Sequence, residues 1–469
     1  MSPDARRSVT CRVTLTQGNA TEHVFFRVTG ADITKSPMEM EALVPLVLVP
    51  AMRLGSPLRF QGPLDRVVLA GAKRFQEIFS VWYPEFQPVP IHAEVVDRGS
   101  HPGRAQGVGV FFSGGLDSSY SLLKNCGELT HAIFIHGCDI PLANTGFRDR
   151  TVARLTETAK ECGVSLIVIE TDLLRFSDTY CHWGHHYHGA AMAGMAGLLG
   201  GTLRKVYVAS STSYLRIVPW GSTMVTDPLW STGSMEVVHD GAEQERMGKI
   251  RRLIQSPVAL RNLRVCFENP DDGYNCGQCE KCFRTMDGLR LCGALNACGA
   301  FDRPLDLAAM ISHPEVLEKF GKLRSWTINY EMARSMGTDL ELIQALEELH
   351  RLSSYLGLVQ LMCREKNFIT TTPHWRSSLP KFRTALFASL RDEDPAWFTG
   401  KILQWLPAAR DQALERLANL DRPWFKRNLI RHLVPRVLRR DKKKRGQPEG
   451  PPAESADSGE TPPQNRALP

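Results

Sequence analysis

The chain's densest set of chemically capable residues is Phe111-Phe112-Ser113-Gly114-Gly115-Leu116-Asp117-Ser118-Ser119. The apolar run Val108 to Phe112 reads as a buried parallel strand, and Tyr120 to Lys124 opens a helix. Two glycines flanked by serines at such a turn let backbone N–H groups converge on an anion at the positive end of a helix. The hydroxyls of Ser113, Ser118 and Ser119 add donors for phosphate oxygens. Asp117 is placed to hold Mg²⁺ or to orient a triphosphate. An ordinary glycine turn is the plainer alternative, but Ser-Gly-Gly-x-Asp-Ser directly after a strand is more specific than Gly-Gly alone. Neither a Walker A sequence nor the spaced dinucleotide fingerprint occurs, and Gly248-Lys249 lacks both the leading glycine and the following hydroxyl.

A second group is Cys266, Cys276, Cys279 and Cys282, spaced Cys-x9-Cys-x2-Cys-x2-Cys. A Cys-x2-Cys turn points two thiolates at one metal, and Gly277 permits the bend that brings amides towards sulfur. Four thiolates satisfy tetrahedral Zn²⁺ with no open position, which is a structural site. An iron–sulfur cluster is the competing reading. Further candidates are weaker. Cys181-His182-Trp183-Gly184-His185-His186-Tyr187-His188 reads as a pocket wall, with a second metal as the alternative. In the basic helix Gln244–Ile254, Lys249 is the residue expected at ATP phosphates, and Arg246 and Arg252 share its face.

The loop from Ser113 to Ser118 resembles the PP-loop of the N-type ATP pyrophosphatases. Its pairing with the cysteine set some 150 residues later resembles the 7-cyano-7-deazaguanine synthase type within them. The resemblance covers roughly Gly107 to Leu295. It implies an adenine nucleotide alpha hydrolase-like fold, with Phe112 to Ser119 and Lys249 at ATP and Ser113 and Asp117 acting in catalysis. ATP, Mg²⁺ and Zn²⁺ are the implied cofactors. The implied reaction adenylates a carboxylate or amide oxygen of a small-molecule acceptor and releases pyrophosphate, for attack by ammonia or an amine. Sulfur transfer to RNA or a small molecule is a second reading, and a non-catalytic ATP sensor a third. The family's enzymes are about half as long and lack counterparts to the N- and C-terminal segments and to Trp220–Glu245.

The elements that must position these residues alternate. Strands over Val108–Phe112, Ala132–His136, Leu166–Glu170 and Lys205–Ala209 are separated by helices over Phe147–Cys162 and Tyr187–Leu199. This predicts an α/β doubly wound parallel sheet with ligands at its C-terminal strand ends. The expected domains are a separate β-rich module (1–105), the PP-loop domain with its metal segment (106–300), a helical region (301–445) and a disordered tail (446–469). In the first, Met40–Met52 reads as apolar but broken by Pro45 and Pro50. The module could serve as a lid, a scaffold or a homodimer contact.

With 43% apolar and 23% charged residues in 469, the composition is that of an ordinary globular chain. The formal charge of +7 is concentrated near the C-terminus, which argues against a large nucleic-acid footprint. Met1 to Ser8 lacks the apolar core of a signal peptide, so twelve cysteines read as reduced thiols plus a metal site in a cytoplasmic protein. The stretch Trp424 to Arg440 is amphipathic and basic; packing on neighbouring helices is preferred to lying on a membrane surface.

Overall fold

The computed structural model describes residues 7–15, 20–31, 33, 40–97, 105–268, 273–320 and 322–353. The expectations for Trp424–Arg440, for the helical region beyond residue 353 and for the tail 446–469 lie outside these residues. The chain begins with strands β1 (Arg7–Leu15) and β2 (Ala20–Thr29), helix α1 (Leu43–Leu54), strand β3 (Leu58–Asp65), helix α2 (Arg66–Trp82) and strand β4 (Ile91–Val96). It then alternates through β5 (Gly107–Phe111), α3 (Leu116–Lys124), β6 (His131–His136), α4 (Thr145–Glu161), β7 (Ser165–Thr171) and α5 (Leu173–Asp178). A π-helical turn, Trp183–Tyr187, runs into α6 (His188–Gly197), followed by β8 (Leu203–Ala209) and β9 (Glu236–Asp240). Helices α7 (Arg246–Leu253), α8 (Pro257–Arg261), α9 (Glu280–Leu291), α10 (Leu307–Ser312), α11 (Pro314–Phe320) and α12 (Arg324–Met336) come next, with a further helix over 340–353.

Seven strands form one sheet in the order β1-β2-β7-β6-β5-β8-β9, and β3 pairs with β4 in a separate two-stranded sheet. The five strands β7, β6, β5, β8 and β9 are parallel. Their order runs outward in both directions from β5, so the winding reverses between β5 and β8. In an open α/β sheet the strand ends at such a reversal form a crevice that the loops can line. The class is therefore α/β with a mostly parallel sheet, as the alternation predicted.

Local sequence explains the pieces nearest that crevice. Every residue of β5 is buried, which is why it reads as a continuous small-apolar run without alternation. In α4, Phe147, Thr151, Leu155, Thr158 and Ala159 are buried at steps of three and four. Asn144 starts that helix by accepting from the Phe147 amide at 3.1 Å, and Gly163, at φ +67°, follows its end. Each fully buried Leu or Phe in this layer, such as Leu122, Leu155 and Phe134, contributes about 1.5–3 kcal/mol.

Four expectations change. The first two strands do not make a sheet of their own: β2 pairs antiparallel with β7, so they extend the central sheet. The apolar stretch with Pro45 and Pro50 is helix α1, not a broken segment. Pro45 falls in the first turn, where no amide is needed. Pro50 removes the donor to the Leu46 carbonyl, and the Tyr187 hydroxyl supplies one instead at 2.6 Å. The stretch 305–323, whose apolar residues recur at three- and four-residue steps and read as one helix of the helical region, is two helices, α10 and α11. His313 before Pro314 is extended, with φ −84° and ψ 122°, as a pre-proline residue prefers. Finally, Cys126 and Cys162 are not free thiols; they form a disulfide joining the ends of α3 and α4. Among the described residues no helix is long and apolar enough to cross a membrane.

Helix α1 lies against α6 closely enough that a Cβ on Gly194 would stand 2.4 Å from Leu46. The Tyr187 hydroxyl is thus the one donor replacing the amide Pro50 lacks. Tyr187→Phe should lower unfolding stability by about 1–3 kcal/mol in denaturant titration, because a buried carbonyl loses its partner. A change under about 0.5 kcal/mol would show that the bond does not carry the helix through its proline.

Candidate functional site

The Ser-Gly-Gly loop lies at the end of β5, and the helix after it starts earlier than the sequence suggested. Gly115 is the N-cap of α3, so Leu116, Asp117, Ser118 and Ser119 form its first turn. The Ser119 amide makes the first bond of the helix, to the Gly115 carbonyl at 2.8 Å, while the Leu116, Asp117 and Ser118 amides before it have no carbonyl partner within the helix and point out of its N-terminus. Gly114 has φ +79°, and a Cβ there would stand 2.8 Å from Leu155, so backbone and packing both require glycine. The loop also holds its own shape. Ser118 Oγ donates to the Gly115 carbonyl at 3.1 Å and accepts from the Ser113 amide at 3.3 Å. The Gly115 amide donates to Ser113 Oγ at 3.4 Å.

The predicted loop residues therefore divide. Phe112, Leu116 and Ser119 are buried and set the loop from below, Ser118 braces it, and Ser113, Gly115 and Asp117 reach its surface. Lys249 is buried at 2% side-chain exposure, with Nζ 2.8 Å from Asp117 Oδ1 and a second bond to the Ser210 carbonyl. Burial pushes the Asp117 carboxyl up, but Lys249 and Arg246 outweigh it and hold it below its ordinary range. Arg252, on the same helix as Lys249, goes elsewhere: it donates to the Leu123 carbonyl at 2.8 Å, at the far end of α3.

One residue beside the loop escaped sequence reasoning. Arg264 is buried and donates through Nε to the Ser113 carbonyl at 3.3 Å. Its Nη2 pairs with Asp139, in the turn after β6, and its own amide donates to the Gly114 carbonyl at 2.8 Å. Arg264 thus bonds the consecutive carbonyls of Ser113 and Gly114, where the glycine turn begins, across 151 residues of sequence. The only local signal was its position two residues before Cys266.

The four cysteines converge. Their sulfurs all lie within 4.8 Å of one another, and all four residues are buried. Cys279 caps α9 and Cys282 lies in its first turn, where the helix end favours thiolate. Gln278 donates its amide to Cys276 Sγ at 3.4 Å, and Gly277 turns the chain at φ +70°. Asn275, fully buried, fixes the remaining strand of the site. Its Oδ1 accepts from the Val265 and Cys266 amides at 2.8 and 3.1 Å, and its Nδ2 donates to Leu263 and Ala300 carbonyls. The neighbouring Cys266 sulfur pushes Cys279 up to about 12, so thiolates packed this closely need a cation among them. The cluster can hold a metal ion such as zinc.

The histidine segment is organised differently from a ligand set. His182 Nδ1 accepts the His185 amide and His186 Nδ1 accepts the His182 amide, each at 3.1 Å, which shapes the π-helical turn. His182, His186, Trp183, Cys181 and Phe86 line a cleft of about 620 Å³ beyond the end of β7. The stretch Trp220–Glu245 contains a buried polar cluster, also unforeseen. Asp227 Oδ2 lies 2.8 Å from His239 Nδ1 and accepts from Ser222 Oγ at 2.6 Å. It pins the 221–235 loop to β9.

Purified protein should carry about one zinc per chain. Cys279→Ser should lose it and lower the melting temperature, since metal affinity in a closed thiolate site is folding free energy. Full metal content in that variant by elemental analysis would contradict the four-cysteine site.

The chain matches no family model, no curated protein and no solved structure, so the site's reading rests on its own residues.

Proposed function

We propose that the protein is an ATP-dependent ligase of the N-type ATP pyrophosphatase kind, similar to the 7-cyano-7-deazaguanine synthase type. The observation that carries this reading is the Ser-Gly-Gly-x-Asp-Ser loop at the sheet's switch point, with Arg264 and Lys249 converging on it. The first-turn amides of α3 would take the β- and γ-phosphates and leave the α-phosphorus exposed. A carboxylate or amide oxygen of the acceptor attacks that phosphorus, the bond to the bridging oxygen breaks, and pyrophosphate departs. Ammonia or an amine then attacks the activated carbon; AMP leaves with the oxygen, and the nitrogen loses a proton. Mg²⁺ would neutralise charge on the leaving pyrophosphate, with Asp117 as the carboxylate beside it. The cysteine site lies outside this chemistry and holds the segment that carries Arg264.

Sulfur transfer would need a nucleophilic thiolate near the loop. Burial raises the Cys138 thiol well above its ordinary value, and burial aided by Asp178 pushes Cys181 up to about 12. Both would be protonated at neutral pH, which favours nitrogen chemistry.

Incubated with ATP, Mg²⁺, ammonia and a deproteinised metabolite extract, the protein should release AMP and pyrophosphate in equal amounts. Asp117→Ala should reduce that release by about 100-fold or more, losing charge stabilisation at the reacting phosphate. ADP and phosphate as main products would overturn the reading.

A further inference from the structure

Around the loop each carboxylate already has its cation. Lys249 pairs with Asp117, Arg264 with Asp139, and Arg284 with Glu280. Two further cations beside these pairs are in no ion pair among the described residues: Arg246, at the first position of α7, and Lys281, in the first turn of α9 between Cys279 and Cys282. Arg246 donates through Nη2 to Thr285 Oγ1 at 2.6 Å, but its Nε is buried with no hydrogen-bond partner. The Lys281 ammonium lies over the Phe267 ring, which offers a cation only weak compensation. Thr285 Oγ1, which accepts from Arg246, itself donates to the Lys281 carbonyl at 2.6 Å, so the start of α7 lies against the first turn of α9 and the like charges of Arg246, Arg284 and Lys281 act on one another there. Asp117, Asp139 and Glu280 also act on these cations, but each is already paired with Lys249, Arg264 or Arg284, and the positive charge left over beside a helix N-terminus is costly unless an anion joins it.

We propose that Arg246 and Lys281 form an anion subsite for the β,γ-phosphate end of the nucleotide and for the pyrophosphate that cleavage releases. This rests on the ATP reading above. Two unmatched cations plus the first-turn amides call for an anion of several charges, which pyrophosphate supplies and a single acceptor carboxylate does not. Arg246 offers a buried Nε, a fixed directional donor, and Lys281 a mobile point charge. The metal segment therefore does more than hold Arg264, because the cysteines flanking Lys281 fix the helix turn that presents it.

The test is calorimetric titration of the full-length, zinc-replete protein with inorganic pyrophosphate and, separately, with ATP and AMP, all with Mg²⁺ at fixed ionic strength. Arg246→Gln and Lys281→Gln should each weaken pyrophosphate binding about tenfold, the scale of one charge-assisted contact, and leave AMP within about twofold. Arg251→Gln, an exposed position on the same helix, should change neither. Arg246→Lys, which keeps the charge but lacks Nε, should fall between wild type and Arg246→Gln. Zinc content and melting temperature are measured for each variant, and if Lys281→Gln loses metal, the Arg246 pair decides. Unchanged pyrophosphate affinity in Arg246→Gln, or an equal loss in Arg251→Gln, overturns the subsite. Wild-type protein that binds ATP but not pyrophosphate overturns the subsite alone. Wild-type protein that binds neither overturns the nucleotide reading itself.

Discussion

The buried Arg264 guanidinium is the interaction on which the candidate site depends. A charge in that position is tolerable only because Asp139 neutralises it and the Ser113 carbonyl accepts from it. The same bonds make it a clamp. It joins the loop after β5, the turn after β6 and the segment that leads into Cys266. Removing it would leave Asp139 unpaired and take this donor from the Ser113 carbonyl, while the Arg264 amide keeps its bond to the Gly114 carbonyl, so loop geometry and cysteine geometry are not independent.

The cysteine cluster has its meaning in that light. It lies two residues beyond Arg264, and Asn275 ties its first cysteine back to Leu263 and Ala300. A metal bound there would stiffen one side of the loop and the start of α9 at once. On the other side α7 brings Lys249 to Asp117. Two distant parts of the chain thus converge on one helix N-terminus, α7 burying Met247, Ile250 and Leu253 as it brings Lys249 there.

Much of this was legible in the sequence where the signal is local. The Ser-Gly-Gly turn, the cysteine spacing and the strand–helix alternation from β5 to β8 are short-range patterns, and the structure has those elements within a few residues. What was not legible depends on pairing across distance. Arg264 looks like any arginine until Ser113 and Asp139 stand beside it. Val9 to Leu15 alternates like any strand, and nothing in it says that its hairpin docks on β7. Pro50 reads as a helix breaker because its remedy, Tyr187, lies far along the chain. Cys126 and Cys162 belong to no motif, and only the meeting of two helix ends joins them.

The proposed role of this loop, with its cations, is to hold the phosphate end of ATP. A crystal structure with Mg²⁺ and the non-cleavable analogue α,β-methylene-ATP tests it most directly. The account predicts β- and γ-phosphate oxygens on the amides at the start of α3, with Arg246 and Lys249 on the same side of the phosphates. An analogue bound elsewhere, or seated with its adenine in the Ser-Gly-Gly turn, would contradict it.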